Sequence, residues 1–234
     1  MEPKYKRILL KISGESLAGD KRHGFSSSAL AATAKQIATL NKAGVEIGVV
    51  VGGGNFWRGR EGDEMDRTSA DYMGMLATVI NALALSDALD RQGVDNRVMT
   101  ALAIDKIGEP YNVKTAKRYL SDGKVVVFGG GTGSPFFTTD TGASLKACEI
   151  QAEVLLLAKN IDGIYDSDPK TNPNAKKFDT LTYDEYVEKG LRALDTSAVV
   201  MCKENGLKIH AFGNLDESSI VNAVFAESDG TVVY

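Results

Sequence analysis

Three glycine-rich segments carry the residues of this chain that can do chemistry. They are Leu9–Ser16 (LLKISGES), Val49–Gly59 (VVVGGGNFWRG) and Val125–Asp140 (VVVFGGGTGSPFFTTD). Each begins in a short apolar run, so each is expected to leave the carboxyl end of a β-strand. Glycine at such a position lets backbone N–H groups approach an anion closely. One segment of this kind can be a tight turn, but three at one sheet edge indicate a site for several phosphate groups.

Two common phosphate-binding motifs are absent from these segments. The chain contains no GxxxxGK[ST] sequence, which excludes a P-loop. A GxGxxG match also fails, because Trp57 and Ser134 stand at the third glycine of the two candidate frames. The glycine segments therefore predict a different arrangement of phosphate-binding amides.

Three charged residues in the same segments indicate phosphoryl transfer. Lys11 lies at the end of an apolar strand, where a lysine is costly unless it points beyond the sheet edge to an anion. Arg58 offers a bidentate second cation, with a solvated loop arginine as the alternative. Asp140 can cap a helix, orient the lysine or help to hold Mg²⁺. Since this chemistry depends on positioning and charge neutralisation, we predict these three as the catalytic residues, without a strong base.

The elements that position these residues alternate along the chain. Six short runs rich in Val, Ile and Leu are expected to be strands: Tyr5–Ile12, Val45–Val51, Asn96–Ala101, Val125–Phe128, Val154–Ala158 and Lys208–Phe212. Four stretches between them have helical spacing: Ser26–Lys42, Thr68–Gln92, Asn112–Asp122 and Thr141–Ala152. This order predicts an α/β fold with a mostly parallel central sheet and helices on both faces.

Two segments depart from this alternation. Asp162–Gly190 is polar and contains two prolines, so it is expected to fold over a ligand or to form a small excursion with its own turns. Tyr72–Ser86 has no charged residue and is apolar around most of a helix. Such a helix must be buried on all sides, which predicts the sheet on one side and a second subunit on the other. Burial within its own chain is the alternative.

Composition and charge exclude several classes of function. The 43% of hydrophobic and 25% of charged residues are ordinary for a globular protein, and one domain over residues 1–234 is expected. A net charge of −4 argues against binding to nucleic acid or to an anionic membrane. Two cysteines, far apart, and two histidines indicate neither a disulfide framework nor a zinc centre. The first residues lack a signal-peptide core, so a cytoplasmic protein is expected.

Six blocks of the sequence occur in an order that resembles the bacterial uridylate (UMP) kinases of the amino-acid-kinase superfamily. They are YKRILLKISGES, GVVVGGGNFWRG, DYMGMLATVINALAL, GGGTGSPFFTTDT, IDGIYDSDP and FDTLTYDEY, and they extend over essentially the whole chain. Relatives that act on acetylglutamate, aspartate or carbamate share only the glycine-rich strand ends. The resemblance implies an αβα sandwich and the reaction UMP + ATP → UDP + ADP in de novo pyrimidine nucleotide (CTP) synthesis. It also implies Mg²⁺ held mainly by the ATP phosphates, with no metal ligand assigned to the protein.

The resemblance also implies which residues contact each substrate. The N-terminal part is expected to bind mainly UMP, and the part from about residue 154 mainly ATP. The implied UMP contacts are Gly53, Asp71, Thr132, Gly133, Ser134, Pro135, Phe136, Phe137, Thr138 and Thr139. The implied ATP contacts are Lys11, Ile12, Ser13, Gly14, Gly54, Arg58, Lys159, Asn160, Tyr165 and Asp168.

Several of these contacts have structural alternatives. Asp71 suits two ribose hydroxyls, because a carboxylate accepts two hydrogen bonds, but it can also be an ordinary first-turn helix acid. Phe136 and Phe137 can be plain core residues, and Tyr165 can merely pack its loop. The chain also departs from the family next to Lys159, where the family often has threonine or one residue more before the Asp-Gly pair. The adenine contact therefore belongs to Lys159 or to its neighbour Asn160.

The family resemblance further implies assembly and regulation. The family is typically a homohexamer, activated by GTP and inhibited by UTP. Residues Gly19, Asp20, Lys21, Arg22, His23 and Gly24 (GDKRHG) occupy the place linked to the GTP response in some members. Their basic side chains suit a phosphate, although the segment differs from the expected pattern.

Two other functions are compatible with parts of the pattern. A kinase of the same fold with a carboxylate acceptor, such as acetylglutamate or carbamate, would favour an Arg or Asn cluster in place of Asp71 and the TGSPFFTT loop. A non-catalytic sensor of UMP or UTP would not need Lys11, Arg58, Asp140 and Asp168 together. We therefore expect a UMP kinase.

Overall fold

A largely parallel sheet forms the centre of the protein. The computed structural model describes residues 2–21, 23–57, 65–214, 216–225 and 230–234. Its strands are β1 (Arg7–Ile12), β2 (Glu46–Val51), β3 (Asn96–Thr100), β4 (Glu109–Pro110), β5 (Val125–Gly129), β6 (Val154–Lys159), β7 (Ile164–Tyr165), β8 (Lys177–Phe178), β9 (Thr180–Leu181), β10 (Lys208–Gly213) and β11 (Thr231–Val233). Within the described ranges, nine strands form one sheet in the order β4-β3-β5-β2-β1-β6-β10-β11-β9. Only the β10–β11 pair of this sheet is antiparallel.

Helices cover both faces of this sheet. They are α1 (Gly14–Ala18), α2 (Ser27–Lys42), α3 (Arg67–Arg91), α4 (Val113–Ser121), α5 (Thr139–Glu149), α6 (Tyr183–Glu188), α7 (Thr196–Glu204) and α8 (Ser219–Phe225). Residues of α2, α3 and α8 form one core with the face of β1 that carries Ile8 and Leu10. Residues of α4, α5 and α7 form a second core with the face that carries Leu9. The predicted arrangement of helix, sheet and helix layers is confirmed.

Burial on both faces explains why the central strands read as continuous apolar runs. In β1, Ile8, Leu9 and Leu10 are all fully buried although their side chains alternate between the two faces. In β6, Val154, Leu155, Leu156 and Leu157 are likewise fully buried. An antiparallel sheet with one solvated face would show polar residues at alternate positions instead. The six predicted strands are all present, with ends that differ by up to two residues.

Capping residues set the helix ends, and one of them corrects an alternative for Asp140. Ser26 and Asn112 cap α2 and α4, and a glycine follows the C-cap residue of α2, α3 and α4. Helix α5 begins two residues earlier than predicted, because the Thr138 hydroxyl accepts hydrogen bonds from the backbone N–H groups of Asp140 (3.1 Å) and Thr141 (3.4 Å). Thr138 is therefore the N-cap, and the interpretation of Asp140 as only a helix cap is wrong.

The segment from Asp162 to Gly190 forms a small excursion with its own elements. Strands β7 and β8 pair as an antiparallel hairpin apart from the large sheet, whereas β9 joins the sheet edge beside β11. Helix α6 follows, and its N-terminus has a capping box between Thr182 and Glu185. The excursion predicted for this segment is confirmed, although its short strands were not predicted.

Helix α3 is buried on one side only. Ala82, Leu85 and Leu89 are fully buried against the sheet. Apolar side chains on another side are well exposed: Tyr72 41%, Met73 39%, Leu76 47%, Ile80 45% and Leu83 39%. We call these five residues the α3 apolar face. The described part of the chain leaves this face exposed, so the alternative of complete burial within one chain is wrong.

The same helix is the one element in the described part of the chain whose length and composition would allow it to cross a membrane. Half of its most apolar window is buried inside the fold. A helix of this kind is typical of the core of a globular protein as well as of a membrane span.

Candidate active site

Two cavities lie at the carboxyl ends of the central strands. The large cavity has a volume of about 670 Å³. It is lined by Lys11, Ser13, residues 158–161, residues 163–170 and residues 189–193. The small cavity has a volume of about 200 Å³. It is lined by Gly53, Gly54, Trp57, Arg67, Ala70, Asp71, Gly74, Met75, Thr78, Gly131, Thr132, Ser134, Phe137, Thr138 and Thr139.

The start of α5 lies between the two cavities. Thr139 lines the small cavity, and the next residue, Asp140, pairs with Lys11, which lines the large one. The distance from Lys11 Nζ to Asp140 Oδ1 is 2.9 Å, and both side chains are mostly buried. Strand β1 thus supplies the cation and α5 the anion of an ion pair at the point where the cavities approach each other.

Asp140 is held in its ionised form by two lysines. Burial disfavours the charged carboxylate, but the charges of Lys11 and Lys159 outweigh burial and hold the pKa of Asp140 below its ordinary value. Nζ of Lys11 lies within ion-pair distance of Oδ1, but this buried oxygen accepts no hydrogen bond from the residues that the structure covers.

Lys159 adds a second cation to this group. It is the last residue of β6, and its Nζ donates a hydrogen bond to the carbonyl oxygen of Ala193. Burial lowers the pKa of Lys159, Asp140 opposes this effect, and Lys11 adds to it. Its position at the strand end places Lys159 among the charged residues at the rim of the sheet.

Two glycines are required where the first two glycine-rich segments approach other parts of the chain. A Cβ on Gly14 would lie 2.2 Å from Oδ1 of Asn55 and 2.8 Å from the Gly52 carbonyl oxygen. A Cβ on Gly53 would lie 2.8 Å from the Gly74 carbonyl oxygen and 2.9 Å from Cβ of Ala77, both in α3. Real Cβ atoms do not make such contacts, so any larger residue would displace these loops.

A buried pair of amides, which the sequence analysis missed, holds the second glycine-rich segment against α3. Asn81 is fully buried, and its Nδ2 donates to the Gly52 carbonyl (2.7 Å) and to Oδ1 of Asn55 (2.6 Å). Asn55 Nδ2 in turn donates to Oδ1 of Asn81 (3.0 Å) and to the Gly24 carbonyl (2.6 Å). An asparagine within a long apolar helix was the one available sequence signal for this pair.

A second network missed in the sequence fixes the start of α5. The carboxylate of Asp195, the N-cap of α7, accepts hydrogen bonds from the hydroxyls of Thr138 and Thr141 (2.8 Å for Thr141). Thr138 at the same time caps α5. Asp195 therefore holds the turn that carries Asp140, although the two aspartates are far apart in sequence.

Asp71 closes the small cavity from the side of α3. Its Oδ2 accepts hydrogen bonds from the Phe136 backbone N–H (2.8 Å) and from Nε of Arg67 (2.9 Å). Oδ1 of Asp71 takes part in no hydrogen bond with another described residue. The Arg67 guanidinium also lies 5.6 Å from the centre of the Phe136 ring. Asp71 therefore ties the third glycine-rich segment to α3, and the alternative of an ordinary first-turn acid is wrong, because the first turn of α3, which begins at Arg67, contains no acidic residue.

Most of the predicted ATP contacts lie at the large cavity. Those that line it are Lys11, Ser13, Lys159, Asn160, Tyr165 and Asp168. The side chain of Ile12 is buried in the core, and Gly14 lies beside the cavity without lining it. Gly54 lies at the small cavity instead. Arg58 falls outside the residues that the structure describes, so its predicted role stays a prediction.

Most of the predicted UMP contacts lie at the small cavity. Those that line it are Gly53, Asp71, Thr132, Ser134, Phe137, Thr138 and Thr139. Gly133, Pro135 and Phe136 do not line it. Phe136 is 67% exposed and Phe137 is 53% exposed, so the alternative that both are plain core residues is wrong.

In the segment predicted to respond to GTP, the described residues lie beside the second glycine-rich segment and line neither cavity. The Gly24 N–H donates to the Asn55 carbonyl (3.0 Å), and the His23 and Phe56 rings make an edge-to-face contact at 5.2 Å. Lys21 Nζ donates to the Phe25 carbonyl (3.2 Å). Arg22 is outside the described residues. The regulatory role of the segment stays a prediction.

The far wall of the large cavity was also missed. Residues Lys189, Gly190, Leu191, Arg192 and Ala193 form it, between α6 and α7. This wall adds two cations to a cavity that already contains Lys11, Lys159 and Lys170. An excess of positive charge of this kind suits a ligand with several phosphate groups.

The described residues contain no cluster of three or more His, Cys, Asp or Glu side chains that could by itself hold a metal ion. Asp140 nevertheless places a buried carboxylate oxygen without a hydrogen-bond partner beside Lys11. Mg²⁺ prefers a few carboxylate oxygens together with phosphate and water oxygens. The residues present therefore fit a metal ion that arrives with a polyphosphate, and Asp140 is a protein group able to interact with it.

Comparison with known proteins shows the family and the relatives of this fold. Residues 6–213 match the amino acid kinase family. The crystal structure of UMP kinase from Bacillus anthracis is similar at 34% identity and a TM-score of 0.90, over 98% of this chain and 96% of that one. UMP kinase from Ureaplasma parvum is similar at 35% identity and a TM-score of 0.90, over 98% and 99%. Uridylate kinase from Archaeoglobus fulgidus is similar at 29% identity and a TM-score of 0.75, over 97% and 99%.

Proposed function

The chain belongs to the amino acid kinase family, and from this premise we propose that it transfers the γ-phosphoryl group of ATP to UMP, forming UDP and ADP. Such an enzyme is a nucleoside monophosphate kinase and serves pyrimidine nucleotide synthesis. The similarity to two UMP kinases over nearly the full length of each chain supports this acceptor. The observation that carries the proposal is the pair of cavities on either side of Lys11 and Asp140.

Each cavity is assigned to one substrate. We assign ATP to the large cavity, because its volume suits a nucleoside with three phosphates and its walls carry several cations. We assign UMP to the small cavity, which is lined by hydroxyls and by Asp71. The two assignments divide a single domain into a mainly UMP-binding part and a mainly ATP-binding part from about residue 154. Both phosphate ends then meet near Lys11.

The proposed transfer needs charge neutralisation more than proton transfer. The bond between the γ-phosphorus and its bridging oxygen breaks, and the bridging oxygen leaves with ADP. A UMP phosphate oxygen, already negatively charged, forms the new bond to phosphorus, so no general base is required. Lys11 stabilises the charge on the transferring group, and Asp140, with its low pKa, stays ionised and orients Lys11. Mg²⁺, bound mainly by the ATP phosphates, would supply further charge neutralisation, with Asp140 as the protein group beside it.

A substrate panel tests the proposed function. The purified protein is incubated with Mg-ATP and, in turn, UMP, CMP and acetylglutamate, and ADP release is followed by a coupled assay. We expect rapid turnover with UMP and little or none with acetylglutamate. Turnover confined to acetylglutamate would assign a carboxylate acceptor, and UMP binding without UDP formation would identify a sensor.

Asp71→Asn is expected to remove recognition of the ribose. Oδ1 of Asp71, which accepts no hydrogen bond from the described residues, can accept one from a ribose hydroxyl, and an amide that replaces the carboxylate cannot accept at both positions. We expect kcat/KM for UMP to fall about thirtyfold, which corresponds to about 2 kcal/mol. The wild type should also prefer UMP to dUMP, and the variant should lose most of that preference.

The control for Asp71→Asn is Asp87→Asn on the same helix, where the carboxylate is exposed and forms an ion pair with Arg91. Asp87→Asn should leave kcat/KM for UMP and kcat/KM for dUMP within about twofold of the wild-type values, because exposed ion pairs contribute little to stability. A preference for UMP over dUMP that survives in Asp71→Asn would show that another group contacts the 2′-hydroxyl.

We propose that the α3 apolar face is an interface between copies of this chain and that the assembly is a homohexamer. Contiguous apolar side chains on one helix are unfavourable in water and favour association. Leu76→Glu is expected to shift the wild-type assembly to smaller species in light scattering after gel filtration. Val200→Glu is the control, since Val200 is similarly exposed (38%) but lies on α7, away from this face. An equal loss of assembly in both variants would contradict the proposed interface.

The proposed function also includes regulation by nucleotides and a location in the cell. We propose that GTP raises and UTP lowers the rate of UDP formation, with the Gly19–Gly24 segment as the candidate for the GTP response. Its support is the hydrogen bonding of Gly24 to Asn55 in the second glycine-rich segment. We also propose that the protein works in the cytoplasm and binds neither nucleic acid nor membranes. A rate that is insensitive to both nucleotides would remove the regulatory part, and co-sedimentation with anionic vesicles would contradict the last part.

A further inference from the structure

We propose that Lys159 is a second cation for the transferring phosphoryl group, acting beside Lys11, and that it is not the contact to the adenine base. The inference rests on the proposed kinase function and adds a catalytic residue to it. Strand β6 pairs with β1 in parallel, with Ala158 opposite Ile12. Lys159 therefore leaves the same edge of the sheet as Lys11, from the neighbouring strand. Both side chains line the large cavity.

The charges at this edge leave Lys159 without a carboxylate of its own. Asp140 forms its ion pair with Lys11, at 2.9 Å, and among the described residues Lys159 has no carboxylate within ion-pair distance. The group of two ammonium ions and one carboxylate therefore carries one excess positive charge. Burial makes an uncompensated ammonium unfavourable. A phosphoryl group bound at Lys11 would supply the missing negative charge at that place.

The hydrogen bond made by Lys159 is compatible with a phosphate contact. Its Nζ donates to the carbonyl oxygen of Ala193, on the far wall of the large cavity. An ammonium group has three protons to donate, so two remain for phosphate oxygens. The carbonyl bond also holds the long side chain in one orientation, which reduces the entropy that binding must offset.

A base contact fits Lys159 less well. Adenine is uncharged, so an ammonium bound to it would still lack a counter-charge while lying close enough to Lys11 and Asp140 to interact with both. The neighbouring Asn160 makes long hydrogen bonds to α1, with Glu15 and Ser16, both at 3.4 Å. The contact to adenine then falls to residues farther along the cavity, where Tyr165, one of the predicted ATP contacts, forms part of the lining.

The role of Lys159 is tested by measuring how Lys159→Met changes kcat and KM separately. We expect kcat for UDP formation to fall about a hundredfold, while KM for ATP stays within about threefold, because the contact strengthens as charge develops in transfer. Lys159→Arg should keep most of the rate, since it restores the charge. In Lys159→Ala, added methylammonium should raise kcat in a saturable way. Lys208→Met is the control, because Lys208 is an exposed lysine at the opposite, amino end of β10.

The outcomes separate this inference from the function on which it rests. If the wild type forms no UDP, the proposed function itself fails. If the wild type is active and Lys159→Met keeps its kcat but raises KM for ATP, Lys159 is a ground-state ATP contact and the inference is overturned. A loss of kcat that neither arginine nor methylammonium restores would assign Lys159 a structural role through Ala193, and would overturn it as well.

Discussion

Lys11→Met is expected to lower kcat about a thousandfold while leaving UMP binding within about threefold of the wild-type value. The lysine lies at the large cavity and reaches the junction of both cavities through its ion pair with Asp140. Methionine keeps nearly the same length and volume, so the strand end should stay packed. The loss corresponds to about 4 kcal/mol of transition-state stabilisation. UMP binding should persist because Lys11 does not line the small cavity.

The measurement combines steady-state rates with calorimetric titration of UMP. Lys6→Met is a matched control, because Lys6 is exposed and precedes β1 at the amino end of the same strand. It should behave as the wild type does. A Lys11→Met enzyme that keeps more than about a tenth of the wild-type kcat would show that the transferring group is neutralised elsewhere.

Asp140→Asn is expected to lower kcat about a hundredfold, although Asp140 accepts no proton in the proposed reaction. The amide removes the partner that orients Lys11, and it leaves Lys11 and Lys159 without a negative charge between them. Since Asp140 raises the pKa of Lys159 in the wild type, its loss should lower that pKa. Lys159 then loses its proton at a lower pH, so the alkaline decline of kcat should begin at a lower pH in the variant.

A double-mutant comparison separates orientation from independent catalysis. If Asp140 acts through Lys11, kcat of the double variant Lys11→Met/Asp140→Asn should lie within about threefold of kcat of Lys11→Met alone. Losses that multiply in full would show that Asp140 acts separately, for example through Mg²⁺. Thermal unfolding of each variant, monitored by circular dichroism, checks that the rates belong to folded protein.

The central strands and the residues at their ends were predictable because a strand that is buried on both faces is a continuous apolar run in the sequence. Strands β1, β2, β5 and β6 are continuous apolar runs, and a lysine that interrupts such a run at its end stands out. The pairing of Lys11 with Asp140 follows once both are placed at the same sheet edge. The residues around the two cavities came mainly from the resemblance to a family, since spacing alone does not distinguish uracil from another ligand.

The rest of the site depends on contacts between residues far apart in sequence. Asp195 reaches Thr138 across 57 positions, and Asn81 reaches Asn55 across 26, so neither pairing has a local pattern. The wall that contains Ala193 is formed by the irregular segment between α6 and α7. The apolar composition of the α3 apolar face was evident from the sequence. What covers this face cannot be predicted from a single chain.

The most direct test of the central claim is a crystal structure with UMP and Mg²⁺ bound to an ATP analogue that cannot transfer its γ-phosphoryl group. We expect uridine in the small cavity with its ribose at Asp71, and the analogue in the large cavity. The γ-phosphate should lie within hydrogen-bonding distance of Lys11, and the UMP phosphate should face it. Nucleotides bound away from the carboxyl ends of β1, β2, β5 and β6, or phosphates that point away from each other, would contradict this claim.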